Sequence, residues 1–317
     1  KEKNNFKKYD ALQYEAYSKI QFDANNISDK FKQRRVFKQF QFIWDYMDTS
    51  VVNGKAYLPV FLSESLSDIY ISNSPKSKKE IIKASKTAGV SDQSVVQVLG
   101  NMNYFINIYD NAFMLFGKKF TSPISDNALL FYKFYLMDSL FLDNKWCYHL
   151  QFKPKRYGDL CFNGNIWIND TTWAVKRFEM SVSKEANINF VNGFSFVQEF
   201  EFIDNFWMLK KDRMIVDVSL QKSTMGGYGR KTTSYKNFVI NKLFDEKLFK
   251  NGENTVVQDS STNRSDEYWI ASRHDTLSRN EENVYKMIDT IQTIRAFKQY
   301  RDFFKTLYTG YYVYRQF

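Results

Sequence analysis

The chain is poor in the residues that build common catalytic and structural sites. Its 317 residues include two histidines, His149 and His274, and two cysteines, Cys147 and Cys161. A zinc site needs more ligands than these offer, and no Cys-x-x-Cys pair is present. Cys147 and His149 stand two apart on one strand pattern. Their side chains are therefore parallel neighbours, with no third group to orient them as a nucleophile pair. The two cysteines can pair across adjacent strands, but two residues do not establish a disulfide framework. With four prolines and twelve glycines, the chain is neither linker nor low-complexity sequence. No stretch approaches the run of about 18 apolar residues that a membrane helix needs. No signal peptide is visible. The chain opens Lys1-Glu2-Lys3 without Met and reads as a trimmed piece, so the missing signal is uninformative.

What is abundant is aromatic: 30 Phe, 21 Tyr and 6 Trp. Aromatics favour strands and bury large areas. At 44% hydrophobic, the chain can build a sizeable core, as one large domain or two smaller ones. The net charge is +10. Such a balance fits nucleic acid, an anionic surface or solubility alone. The charge is dispersed except in Lys30–Lys38, where Lys30, Lys32, Arg34, Arg35 and Lys38 interleave with Phe31, Phe37, Phe40 and Phe42. Segment 30–42 could grip single-stranded nucleic acid. It reads rather as an amphipathic segment with its basic face in solvent, and no nucleic-acid partner is expected.

Tyr14 to Phe22 alternates with period two, as a half-buried strand does. Ala56–Leu62 and Ser67–Ser72 read as a strand pair ended at Pro75. Lys78–Lys86 reads as a helix stopped at Gly89. A second helix is expected from a Ser91 cap, with Val95, Val98, Leu99 and Met102 as its buried stripe. A short helical or irregular segment follows from Pro123 to about Tyr135. From Lys145 to Tyr235 the strand pattern is continuous, with turns at Asn169–Thr172 and Asp204–Asn205. Strands this close in sequence pair antiparallel, with one face buried. Asn251–Arg264 is a polar loop. Ser278 and Glu281 form a capping box ahead of the stripe Val284, Met287, Ile288 and Ile291. The tail Tyr308–Tyr314 is aromatic and leads onward or is tied down by the body.

The remaining chemical patterns are weak. Glu199 and Glu201 share a strand face roughly 6.5–7 Å apart, a spacing that overlaps that of glycosidase acids. Their alternation with Phe makes this the solvated face instead. Gly226-Gly227-Tyr228-Gly229 is followed by a strand, so it is a turn or bulge rather than a phosphate loop. No GxSxG elbow and no EF-hand loop occurs. No catalytic, cofactor-binding or metal residue is assigned.

The stretches Tyr14–Ile20, Glu80–Lys86, Ile108–Asn111, Ser122–Ser125, Phe152–Lys155, Phe162–Ile168 and Ala186–Val191 resemble a Bacteroidota outer-membrane family of unknown function. Its members look like a carboxypeptidase-like regulatory domain, a periplasmic middle region and a C-terminal membrane β-barrel. The resemblance implies that this chain is the middle region, on the periplasmic face of the outer membrane, and that its tail approaches the barrel. Phe-x-Pro, then Phe-x-Gly-x-Ile-Trp-Ile, also resembles LolA- and LolB-type lipoprotein carriers, which are half-closed antiparallel barrels with helices in the concave side. The expected fold is therefore α+β: a large curved antiparallel half-barrel over residues 1–250, with a helical insertion at about 78–135 and helices on the concave side. A polar loop and helical segment over 251–317 follow, leading toward a missing barrel. The expected role is a non-enzymatic docking or scaffold module. A hydrophobic ligand, lipid or lipoprotein, would lie against Phe162, Ile166, Phe178, Phe196 and Phe200. A glycan-active enzyme and a nucleic-acid binder are the alternatives. If the concave face is empty, the module is a carrier; if it is filled, a scaffold.

Overall fold

The computed structural model describes residues 9–49, 54, 56–89, 106–156, 158–182, 188, 191–219, 226–242, 244–249 and 254–294. Fourteen strands are found among them. The N-terminal group is β1 (Ala11–Asn25), β2 (Asp48–Thr49), β3 (Ala56–Asn73) and β4 (Lys76–Gly89). A small hairpin, β5 (Ala112–Leu115) and β6 (Lys118–Thr121), precedes the meander. The meander is β7 (Tyr132–Leu142), β8 (Lys145–Pro154), β9 (Phe162–Asn169), β10 (Val175–Val182), β11 (Val191–Ile203), β12 (Phe206–Ser219) and β13 (Gly226–Ile240). Then come β14 (Thr255–Val257) and the helices α1 (Asp266–Ser272) and α2 (Arg279–Thr293).

All but β5 and β6 belong to one open sheet of order β14-β4-β3-β1-β13-β12-β11-β10-β9-β8-β7, with β2 attached to β3. Every pairing is antiparallel except β14 with β4. The meander closes through tight turns in which Asp and Asn accept left-handed backbone: Asp143 and Asn144 between β7 and β8, Asp204 and Asn205 between β11 and β12. The long alternating β1 lies between β3 and β13 and joins the two halves of the sheet.

Directly opposed residues share a face, which traces two surfaces across the sheet. One runs through Phe178, Gln198, Asp212, Thr233, Ser18 and Ser65. The other runs through Glu199, Lys211, Ser234, Tyr17, Leu66 and Ala84. The hairpin β5–β6 covers the first surface over the meander. The helices cover the second. Trp269 of α1 packs on Tyr17, Leu66 and Ala84, and Val284, Met287 and Ile288 of α2 pack on Leu58, Leu62 and Ala88. The capping box is present: the Glu281 N–H donates to Ser278 Oγ at 3.3 Å, and the Ser278 N–H donates to Glu281 at 2.7 Å.

Four expectations need correction. Lys78–Lys86 is not a helix but the middle of β4. Its Lys, Glu and Ala residues favour helix locally, but pairing with β3 from Phe61 to Asn73 overrides that propensity. Ala56–Leu62 and Ser67–Ser72 are one continuous strand, with a register shift against β4 at Leu66/Ser67. The insertion at 78–135 is therefore largely β among the described residues, with a single helical turn at Ala128–Phe131. The helix expected from Ser91 to Met102 and the tail Tyr308–Tyr314 lie outside the described residues. The polar loop 251–264 contributes β14, so the C-terminal segment is built onto the sheet rather than set apart from it.

Candidate functional site

The residues expected to line a ligand face are brought together. Phe162, Ile166, Phe178, Phe196 and Phe200 all belong to one core cluster, and none is more than 3% exposed. Alternation along β9, β10 and β11 aims them at the same surface. That surface is filled. Phe120 stacks on Phe162 with ring centroids 5.0 Å apart, and Phe113 tilts against the same ring at 5.9 Å. The plug is also hydrogen-bonded to the sheet: the Gln198 side-chain amide donates to the Ile106 carbonyl at 3.0 Å. The Tyr132 hydroxyl accepts from the Phe162 N–H at 3.1 Å and donates to the Thr121 carbonyl at 2.6 Å.

Glu199 and Glu201 are on the opposite surface. Glu199 lies 3.5 Å from Arg177 and 3.4 Å from Arg213, and Glu201 lies 3.7 Å from Lys210. Flanking cations match both charges. Cys147 and Cys161 are free thiols, and burial raises the pKa of each, which disfavours the thiolate. His149 stacks on Trp167 at 4.5 Å and lies 3.0 Å from both Asp138 and Asn165. Among the described residues no group of three or more His, Cys, Asp or Glu could hold a metal ion. Segment 30–42 forms a helical turn and part of a 3-10 stretch, Arg35–Tyr46. Its Phe40 is buried against the α2 cluster, as an amphipathic segment requires.

The densest polar cluster was not legible in the sequence. Glu64 of β3 is fully buried. Arg273 donates to both its oxygens, at 2.7 and 2.8 Å. The Tyr285 hydroxyl donates to it at 2.6 Å, and the Tyr17 hydroxyl also donates to it. Burial alone would raise the Glu64 carboxyl, but the hydrogen bonds from Arg273, Tyr17 and Tyr285 hold it below the ordinary carboxylate range. Around it, His274 lies 3.0 Å from Glu15, and Lys83 bridges Glu15 and Asp68. Lys19 pairs with Glu281 at 2.7 Å, and Lys211 with Asp275 at 2.6 Å. These contacts tie residues 273–285 to β1, β3 and β12. Their members come from distant positions, and no local spacing announces the group. With its charges matched, the cluster fastens α1 and α2 to the sheet.

The least satisfied apolar surface lies at the sheet's end. Among the described residues, strand β7 has a partner on one side only. Leu136, Met137 and Phe141 are 67%, 53% and 67% exposed, with Leu129, Leu130 and Tyr135 also in solvent. Phe141 meets Trp146 edge-on at 4.7 Å, and the exposed Trp173 stacks on Tyr148 at 5.9 Å. Lys133 is exposed on β7, Lys145 and Lys153 are exposed on the neighbouring β8 and Lys155 and Arg156 just after it, while Asp138 of β7 pairs with His149.

Residues 1–238 match the model of a family described as "Family of unknown function (DUF5686)". Among solved structures, the chain is similar to a DUF1329 family protein from Desulfovibrio piger. That match has 10% identity and a TM-score of 0.29, over 79% of this chain and 94% of the other. It is also similar to a LolA superfamily protein from Nitrosomonas europaea, at 7% identity and a TM-score of 0.22, over 76% and 90% of the two chains. No curated protein matches the chain.

Proposed function

The chain belongs to the family of unknown function DUF5686, and from that premise we propose that it is a non-enzymatic docking module of the cell envelope. It lies on the periplasmic side of the outer membrane, next to a β-barrel carried by the same protein. The motif resemblance to envelope proteins supports that location.

The observation that carries docking is the state of β7. A terminal strand offers unpaired N–H and C=O groups, and an exposed apolar one is the standard template for another strand. Large apolar side chains exposed this close together mark an interaction site. The occupant is an extended segment of a partner protein. Apolar side chains of that segment cover Leu136, Met137 and Phe141, and acidic ones meet the lysines around the edge. Carriage of a lipid or lipoprotein against Phe162 and Phe178 is disfavoured by magnitude. Freeing that face means exposing Phe113, Leu115 and Phe120, a cost on the order of 5 kcal/mol or more.

A fluorescent peptide alternating valine and glutamate tests the reading. It should bind the wild-type chain, and a lysine-for-glutamate version should bind about tenfold more weakly or worse. The Leu136→Glu/Met137→Glu variant should lose the interaction, as should a peptide N-methylated along one edge. Equal binding of both peptides, no binding of either, or indifference to the edge substitutions would overturn it.

A further inference from the structure

Strand β7 meets β8 through Phe134–Phe152 and Leu136–Leu150 and, after a register shift at Leu136/Asp138, through Ser139–Tyr148 and Phe141–Trp146. Phe152, Leu150, Tyr148 and Trp146 alternate along β8, so Phe134, Leu136, Ser139 and Phe141 lie on one face. Lys133, Tyr135, Asp138, Leu140 and Leu142 lie on the other, opposed to Lys153, Gln151, His149, Cys147 and Lys145. Met137 is the extra residue. Before it the first face carries even positions, and after it odd ones. A second copy of β7, laid antiparallel on the free side about a two-fold axis between Met137 and Asp138, sets Phe134 across from Phe141. The same register sets Leu136 across from Ser139 and Tyr135 across from Leu140. Every one of these pairs joins like faces, because each copy carries the same inserted residue and the two insertions meet at the axis. A strand without the insertion would set one face against the other in this register.

The surface available is of the right size. Leu129, Leu130, Tyr135, Leu136, Met137 and Phe141 are 45–72% exposed. Six side chains of this size leave on the order of 700 Å² per copy, against the roughly 800 Å² that each partner gives to a standard interface. The outward N–H and C=O groups of β7 have no strand to pair with among the described residues, and the second copy supplies one. Such a pair is isologous, so it uses up both edges and closes without growing into a fibre. We infer that, before a partner segment arrives, this edge is covered by a second copy of the chain, with two twelve-stranded sheets joined through β7. The inference rests on the reading of β7 as a docking edge and adds its regulation: a partner segment binds by displacing the second copy.

Sedimentation equilibrium of the full chain, with a disulfide scan of the register, tests it. The chain should pass from monomer to dimer as its concentration rises through the micromolar range, with no larger species. Leu136→Glu/Met137→Glu changes only exposed positions, so it separates loss of association from loss of fold. It should weaken the dimer about a hundredfold or more, because the carboxylate placed at 137 faces the other copy's Asp138. Mild oxidation of Phe134→Cys/Phe141→Cys should link two chains. The two positions stand about 23 Å apart along one strand, so no bond closes within a chain. Cys147 and Cys161 are buried and do not compete. Phe134→Cys alone and Phe141→Cys alone should stay unlinked. The valine–glutamate peptide should convert dimer to monomer and lose apparent affinity as chain concentration rises. A chain that is monomeric at every concentration yet binds the peptide overturns the inference and leaves the docking edge standing. A dimer linked through 134 and 141 that the peptide never dissociates overturns the docking reading and leaves the self-pairing intact. Dimers that persist in Leu136→Glu/Met137→Glu, or single-cysteine variants that link as fast as the double one, overturn the inference as well.

Discussion

Gly164 sits in β9 where two neighbouring strands close in. A Cβ built there falls 1.9 Å from the Glu179 carbonyl oxygen and 2.5 Å from the Phe152 ring. The backbone contact cannot be relieved by a rotamer change, so Gly164→Ala should cost about 2–3 kcal/mol in urea unfolding. Two buried acids respond to pH in opposite directions. Glu64 is held below the ordinary carboxylate range, so its contribution is present above that range and is lost as pH falls through its folded value. Glu64→Gln leaves Arg273 without its counterion and should cost about 3–5 kcal/mol at neutral pH. The gap to wild type should narrow in acid; a gap that stays constant to low pH would contradict the assignment. Asp23 of β1 is also fully buried, and burial pushes its carboxyl up to about 6 against the pull of Arg230. The native state then holds a proton that the unfolded chain has released. Stability attributable to Asp23 is therefore full in acid and falls by about 3 kcal/mol as pH rises through about 6. Unfolding free energies of wild type and Asp23→Asn, compared from acid to neutral pH, should diverge over that interval.

At the scale of elements, the two ends of the apolar surface behave differently. Phe120 in the hairpin β5–β6 is fully buried, so Phe120→Ala should cost about 3–5 kcal/mol. Met137 on β7 is large and exposed, so Met137→Asp should change stability by less than about 0.5 kcal/mol. Urea unfolding of the two variants separates core from free edge. The elements legible in the sequence were those whose side chains alternate: β1, the meander from β8 to β13, and its Asp-Asn turn. The capping box of α2 was legible for a similar reason, because its signal spans four residues. Strand β4 was misread because Lys79, Glu80, Ala84 and Lys86 carry helix propensity, while the partner that makes them a strand lies across a turn. The hairpin over Phe162 and Phe178 was missed because four-residue strands leave too short a pattern.

For the whole molecule, one sheet carries two unlike coverings. A hairpin seals the aromatic surface of the meander, and helices fastened through Glu64 and Glu15 seal the opposite surface of the N-terminal strands. The sequence could place Phe162, Ile166, Phe178, Phe196 and Phe200 on one face, because period-two alternation fixes the face of each. It could not say whether that face was empty, because the covering residues come from another part of the chain. Nor could it find the Glu64 cluster, which is assembled from separate segments. The account rests on the aromatic surface being core rather than a ligand wall. The direct measurement is a titration of the delipidated chain with palmitate and with a phospholipid, followed by native mass spectrometry and thermal unfolding. The account predicts no stoichiometric complex and an unchanged Tm. A one-to-one acyl-chain complex with a raised Tm, lost when Phe178 is replaced by aspartate in a chain that remains folded, would contradict it.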